Sequence, residues 1–511
     1  MRSGPTSDCV IALDVGTTTI KAGLFTTAGE LVALSREATP SAAPHVGWLE
    51  HDPLLLWEAV SRALRATAAA ARGCGCTPGA LAITGPRGTA CLLDARGLPL
   101  TPFVTWQDRR SLDMLPALRA RLGGDHAFYR RTGVRLDPSM IAPKLAWWRL
   151  HRPVELATAR WVATTQGYVA ARLTGGRPAT DRSTAAFFGL IDFGQPSWSD
   201  ELVEACGVPA ELLPPVVEPG TVLGTLNRDA ARELGLPDAL AVVLAGSDGV
   251  CSELGAGATR PGQVYGYLGT AAAVATPLLE PRLDPDEALL VSPGSVAGRW
   301  RALGLGFTGA SGIEWWSHLA GIDDPAQYDR VLADSPPGAR GVLFMATVNG
   351  AGTPYWQPSA RGAFVGLSSS HGAADLARAV YEGVALDVRM ILGAFRSFGV
   401  PTTELRLTGG GARSDAWSAL LAHIFQLPVE RVDHAEPGLL GSAGYALTAT
   451  GTYDDAIASA EALRAPSERF DPDPALAPLY DELAGRYDAV RRAFAASELD
   501  ERLAQDAAGE D

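Results

Sequence analysis

The run Val10-Ile11-Ala12-Leu13-Asp14-Val15-Gly16-Thr17-Thr18-Thr19-Ile20-Lys21-Ala22-Gly23-Leu24-Phe25 constrains this chain more than any other. An apolar β run meets a carboxylate, a glycine and three hydroxyl residues, and a second β run leaves. Gly16 permits a tight turn and close backbone approach. The N–H groups and hydroxyls of Thr17, Thr18 and Thr19 suit phosphate oxygens, Asp14 faces the same ligand where a carboxylate holds Mg²⁺ directly or through water, and Lys21 offers a counter-charge. An ordinary hairpin with a polar turn is the alternative.

Two later segments argue against that alternative. Gln263-Val264-Tyr265-Gly266-Tyr267-Leu268-Gly269-Thr270 followed by Ala271–Ala275 repeats the strand, Gly-Thr turn and strand. Two such hairpins suggest a duplicated fold with a shared cleft. Leu405-Arg406-Leu407-Thr408-Gly409-Gly410-Gly411-Ala412 then leads into the helical spacing of Trp417, Leu420, Leu421 and Ile424. That order reads as strand, glycine turn and helix, where a base or ribose can lie against bare backbone. No Gly-Lys-Ser/Thr follows, so it is not a Walker A loop.

At 511 residues the chain exceeds one core, and two domains are expected, 1–246 and 247–511, with the boundary near Gly246. Charged residues make up 20% and the net charge is −14. That balance argues against sequence-independent binding to nucleic acid or an anionic membrane. The start of the chain lacks a signal-peptide pattern, no apolar run approaches ~20 residues, and a cytoplasmic location is expected. Six scattered cysteines read as reduced thiols, since Cys74-Gly75-Cys76 lacks the gap of a redox or zinc motif.

The first half alternates strands with a helix from about Pro53 to Ala71, capped by Asp52, with Leu54, Trp57, Val60 and Leu64 on one face. Further strands are expected at Leu31–Ser35, Leu81–Gly85 and Ala90–Asp94. Residues 110–235 read as more helical, a second α/β block opens at Ala241–Gly249, and a last helix covers Pro474–Ser497.

In this order the segments resemble the FGGY carbohydrate kinases. Gly362-Ala363-Phe364-Val365-Gly366-Leu367, a seven-residue gap and Asp375–Glu382 fit that family's C-terminal pattern throughout. Ser139–Trp148 approximates the N-terminal pattern: Lys144 and Trp147 fit, whereas Ile141 and Trp148 depart from it. Trp106–Arg110, Gly246-Ser247-Asp248 and Glu436–Ala443 are also family-like. The resemblance implies an α/β fold of two actin-like (ribonuclease H-like) domains around a central ATP and sugar cleft. It implies ATP- and Mg²⁺-dependent phosphorylation of a small sugar or polyol.

By the same resemblance Asp248 is the general base, and Asp14 is the catalytic carboxylate on the metal and phosphate side. Gly16, Thr17, Thr18 and Lys21 would lie on the phosphates, faced by Gly269 and Thr270, while Gly410, Gly411 and Ala412 line the adenosine site with Gly309. Arg87, Trp106 and Asp108 would hold the acceptor. Read on residue type alone, Asp248 serves equally as a helix N-cap, Asp108-Arg109-Arg110 as an ion-pair cluster, and Arg87 as a structural cation.

The acceptor is read as D-xylulose, with gluconate, glycerol, other polyols and other ketoses as alternatives. Gly85-Pro86-Arg87-Gly88-Thr89 lacks the Met-His pair usual in xylulokinases. It keeps the Arg of the Gln-Arg-Glu-Thr of glycerol kinases but lacks the Glu. Actin-like folds also include ATP-binding proteins that phosphorylate no metabolite, and a sugar sensor is the reading from that class. A homodimer is the family-level expectation.

Overall fold

The computed structural model describes residues 8–321, 328–409, 414–434, 436–464, 467–497 and 499–500. Its centre is two mixed sheets of matching topology. In the first, β1 (Cys9–Val15), β2 (Thr19–Thr26), β3 (Leu31–Ala38), β4 (Pro78–Gly85), β5 (Thr221–Thr225) and β6 (Ala241–Ser247) lie in the order β5-β6-β4-β1-β2-β3. In the second, β7 (Gly262–Leu268), β8 (Ala272–Leu278), β9 (Leu290–Pro293), β10 (Trp300–Gly306), β11 (Thr402–Thr408), β12 (Val429–Val432) and β13 (Ser467–Phe470) lie in the order β9-β10-β8-β7-β11-β12-β13.

The duplication expected from the two hairpins is therefore structural. β1 pairs antiparallel with β2 and parallel with β4, which pairs parallel with β6. β7 repeats this with β8, β11 and β12. One expectation changes: Ala241–Ser247, read as the opening of the second block, is an inner strand of the first sheet. Its apolar run is typical of any buried parallel strand, so composition alone does not say which sheet it joins.

Alternate residues of β1 serve two cores. Cys9, Ile11 and Leu13 pack with α1 (Pro53–Cys74), and Val10 and Ala12 pack on the opposite face with α7 (Pro437–Ala449). Asp52 caps α1 as expected, accepting from the N–H groups of Leu54 and Leu55. The buried stripe runs through Leu56, Trp57, Val60 and Leu64, and Leu54 is exposed.

α3 (Asp248–Gly255) follows β6 and crosses α7 at backbone contact distance. A Cβ on Gly255 would collide with the Pro437 carbonyl, and one on Gly441 with the Cys251 carbonyl. Only glycine permits that approach. A late segment of the chain thus covers the first sheet.

α4 (Ala310–Ala320), α5 (Ala373–Ser397), α6 (Asp415–Phe425) and α8 (Ala477–Ala496) surround the second sheet. Tyr480, Leu483 and Tyr487 of the expected last helix are buried in that core. A four-stranded sheet of Glu50–His51, Phe103–Val104, Ala90–Leu93 and Trp161–Thr164 carries the helices of the 110–213 region on its own core. α2 (Ile141–His151) belongs to this added layer.

Candidate active site

Three parallel strands deliver the central residues. β1 ends near Asp14, β4 at Gly85 shortly before Arg87, and β6 at Ser247 before Asp248. The register pairs Asp14 with Thr84 and Ser247 with Gly85, and the Thr84 hydroxyl donates to the Gly246 carbonyl at 2.8 Å. Residues far apart in sequence therefore meet at the C-terminal ends of adjacent strands, where open α/β sheets place their ligands.

On the phosphate side, Asp14 lies across the hairpin from Lys21. A Cβ on Gly16 would stand 2.5 Å from the Thr19 carbonyl oxygen, so the turn needs glycine. Thr39 braces it, donating its hydroxyl to the Gly16 carbonyl at 2.7 Å and its N–H to that of Thr18 at 2.9 Å. Asp14 and Lys21 line a cleft of about 890 Å³ together with Tyr265, Tyr267, Gly409 and Glu436.

Burial first, then the Asp248 charge, pushes Asp14 up to about 7, against a smaller opposing pull from Lys21. Its Oδ1 is buried without a hydrogen-bond partner, which fits a cation or a water held by one. The Lys21 ammonium is bound to Glu436 at 2.7 Å, and Arg36 reaches the other Glu436 oxygen at 2.8 Å. Glu436 thus holds Lys21 at the cleft wall, a role that residue-type reasoning gave no one.

Across the cleft, the β7–β8 turn is tied to the start of α4. Gly309 and Ala310 donate their N–H groups to the carbonyls of Thr270 and Gly269 at 3.0 and 2.6 Å. The Ser311 hydroxyl donates to the Thr270 carbonyl at 2.6 Å. Gly269, Thr270 and Gly309 therefore form one unit. Gly410, Gly411 and Ala412 lie outside the described residues; Gly409, in the left-handed region at φ 99°, lines the cleft just before them.

On the acceptor side, Asp248 is the first residue of α3, and Ser247 holds the N-cap position, without a side-chain cap bond. Asp248 Oδ1 accepts from the Gly249 N–H at 2.7 Å. The residue is exposed to solvent. Desolvation raises it above the ordinary carboxylate range, while Arg87, the Gly249 N–H and Arg301 pull it down.

Burial and the neighbouring Arg301 lower Arg87 to about 9. Its guanidinium stacks 3.8 Å above the Phe187 ring, and its Nη1 is buried with no partner. Arg301, fully buried, is ion-paired with Glu253 of α3 and donates to the Ser292 hydroxyl at 3.3 Å. Phe187, Arg301 and Glu253 carry no motif, so only their position in the fold links them to the site.

Trp106 is half-exposed, and its indole N–H donates to the Thr17 hydroxyl at 3.1 Å, joining the acceptor wall to the phosphate-side turn. Asp108 departs from expectation. Its carboxylate has no solvent exposure and accepts four bonds: from the Leu49 N–H at 2.6 Å, the Arg110 N–H and Nε at 2.9 Å each, and Arg110 Nη2 at 2.7 Å. An ionised carboxylate has about four acceptor positions, so none is left for a ligand hydroxyl. In this structure Asp108 holds Arg110, which also pairs with Glu50 at 2.7 Å and stacks on Trp48.

Lys144 of the approximate N-terminal pattern is buried too. Its ammonium donates to the carbonyls of Pro138, Ser139 and Met140 at 2.9–3.0 Å. A Cβ on Gly88 would collide with that Ser139 carbonyl, so this loop packs directly behind Arg87-Gly88. In the C-terminal pattern, Arg378 and Glu382 form a buried pair at 2.8 Å within α5, and Glu382 also accepts from the Gly338 N–H and the Tyr480 hydroxyl. Both patterns mark packing residues of the fold.

Comparison with known proteins agrees with this layout. Residues 9–255 match the N-terminal domain of the FGGY family of carbohydrate kinases, and residues 269–450 match its C-terminal domain. The chain is 32% identical to a glycerol kinase of Gloeobacter violaceus, over 89% of this chain and 91% of that one. It is 30% identical to the xylulose kinase of Escherichia coli, over 85% and 87%. The crystal structure of a gluconate kinase from Lactobacillus acidophilus superposes with a TM-score of 0.89 at 26% identity, covering 96% of this chain and 98% of that one. Two matched domains and relatives of this closeness across most of both chains establish that the protein belongs to the FGGY carbohydrate kinases.

Proposed function

We propose that the protein transfers the γ-phosphoryl group of ATP to a hydroxyl of D-xylulose, giving D-xylulose 5-phosphate. The observation that carries the transfer site is the convergence of Asp14, Arg87 and Asp248 at the ends of three adjacent strands. Asp248 accepts the hydroxyl proton as the new O–P bond forms. Desolvation raises its affinity for a proton and Arg87 opposes that rise, and a stronger affinity for the proton suits a general base.

Thr17, Thr18 and Gly16 position phosphate oxygens from one side, and Gly269, Thr270 and Gly309 from the other. Lys21 leaves Glu436 to meet the phosphates. Asp14 Oδ1 fits Mg²⁺ or one of its waters, and the ion would neutralise phosphate charge. Gly410, Gly411 and Ala412 bound the adenosine.

On the acceptor side, the unpartnered Arg87 Nη1 offers a donor to a hydroxyl or carbonyl oxygen, and Trp106 covers an apolar sugar face. Gly88 presents no carboxylate of the kind that follows the arginine in the glycerol-kinase pattern, which supports the longer ketopentose. Glycerol is the second reading, favoured by the presence of Arg87 itself.

The deciding measurement is ADP release with Mg²⁺ and ATP across D-xylulose, D-ribulose, L-ribulose, gluconate, glycerol, erythritol and L-fuculose. A kcat/KM for D-xylulose at least tenfold above every other acceptor supports the assignment. A higher value for glycerol or gluconate replaces it, and ATP turnover independent of all of them removes it.

A further inference from the structure

Away from the cleft, three cysteines meet at the opposite end of β1. Cys9 opens that strand, and Cys74-Gly75-Cys76 closes α1 and leads into β4. The sulfurs of Cys9 and Cys76 are 2.9 Å apart, although the residues are separated by 67 positions. Cys76 is held in place by backbone geometry: Gly75 takes the left-handed conformation at φ 71°, and the Cys76 N–H donates to the Ala71 carbonyl at 3.0 Å. Cys9 is fixed by strand pairing, opposite Pro78 of β4. Cys9 is buried, Cys76 is partly exposed and Cys74 is exposed, so the pair is open to solvent from one side.

We propose that Cys9 and Cys76 form an oxidisable dithiol that closes to an intramolecular disulfide on exchange with a low-molecular-weight disulfide. A disulfide needs sulfurs at about 2.05 Å, so closure asks for a movement of under roughly 1 Å. The Cys76 thiolate, after losing its proton, attacks one sulfur of the small disulfide and expels the other half as a thiolate. The Cys9 sulfur, giving up its proton, then attacks Cys76 and expels the second half. Two protein thiols are oxidised, one small disulfide is reduced to two thiols, and the two protons pass to the departing thiolates. The bond staples the start of β1 to the end of α1, across the sheet that carries Asp14 at its other end.

The test uses the full-length protein with glutathione disulfide as the sole oxidant, followed by acid quench, alkylation and peptide mass spectrometry. The expected product is a Cys9–Cys76 linked peptide short of two hydrogens, with Cys91, Cys206 and Cys251 still free to alkylate once unfolded. A Cys74–Cys76 bond, or glutathione left on Cys76 with Cys9 free, overturns the proposal. Because Cys9→Ser disturbs a packed position, the partly exposed Cys76→Ser is the second variant. Oxidation is expected to raise Tm by several degrees in the parent and to leave Cys76→Ser unchanged; equal responses in the two overturn it.

Discussion

The indole N–H of Trp106 donates to the hydroxyl of Thr17 across 3.1 Å, although the two residues belong to different layers and are 89 positions apart. Trp106 follows the added four-stranded sheet, and Thr17 sits in the β1–β2 turn. A single hydrogen bond therefore connects the proposed acceptor wall to the proposed phosphate cradle. Trp106→Phe keeps the ring and deletes the donor, and Thr17→Val deletes the acceptor. Each is expected to raise both the acceptor KM and the ATP KM by roughly 2- to 10-fold, the range of a net hydrogen bond. In the double variant the effects should fall short of additive by about 1 kcal/mol. Fully additive effects would show that the bond does not couple the two halves.

Asp14 carries a stability cost in the ligand-free protein. Its folded-state value of about 7 lies above the ordinary carboxylate value of 3.8, because burial and the Asp248 charge disfavour its ionised form. The folded chain therefore binds this proton more tightly than the unfolded chain between those values. The resulting stabilisation is present at acid pH and is lost as pH rises through 7. Asp14→Asn removes the charge, and should raise Tm at pH 8 by roughly 2 °C, or about 1 kcal/mol, while abolishing turnover. At pH 5 the gain should shrink toward zero. Thermal unfolding without nucleotide or Mg²⁺ checks this, and a gain that grows toward acid pH would contradict it.

Asp108→Ala is expected to act on folding. The substitution strips Arg110 of a buried partner and leaves the Leu49 N–H without an acceptor. Breaking a buried pair from one side costs about 3–5 kcal/mol, moderated here by the remaining Arg110–Glu50 contact. Denaturant unfolding should show most of that loss. Among folded molecules the acceptor and ATP KM values should change by similar factors, whereas a large rise in the acceptor KM alone would return Asp108 to the acceptor site.

The difference between Asp14 and Asp108 shows which parts of the site were legible. Asp14 sits in a local pattern, strand, carboxylate, glycine and hydroxyls, whose geometry is fixed by nearest neighbours along the chain. The same holds for the Gly269-Thr270 hairpin and for the Asp52 cap. Asp108 sits in an equally recognisable run, but its partners include a backbone N–H 59 residues away, which residue types cannot reveal. The Lys21–Glu436 contact spans 415 positions and appears only when α7 folds back over the first sheet. The sheet that β6 joins is hidden for a related reason, since buried parallel strands of either sheet are alike in composition. Periodicity reports the local fold, while charge partners are set by topology.

Asp248→Asn isolates the chemical step from binding. Asparagine preserves the size of the side chain and can still accept from the Gly249 N–H, so α3 and its crossing with α7 should be undisturbed. What it lacks is the capacity to take a proton from the acceptor hydroxyl. Loss of a positioned base typically costs roughly 10²–10⁴-fold, and kcat should fall within that range. ATP binding, read by nucleotide-induced change in intrinsic fluorescence or by calorimetry, should change by less than about twofold, because the phosphate-side groups lie on β1, the β7–β8 turn and α4. Removing the Asp248 charge should also take away one of the carboxylates that favour the Arg87 cation, and a moderate rise in the acceptor KM is expected. A variant that retains near-normal turnover would place the proton acceptor elsewhere, and one that loses ATP affinity along with turnover would make Asp248 a phosphate-side residue.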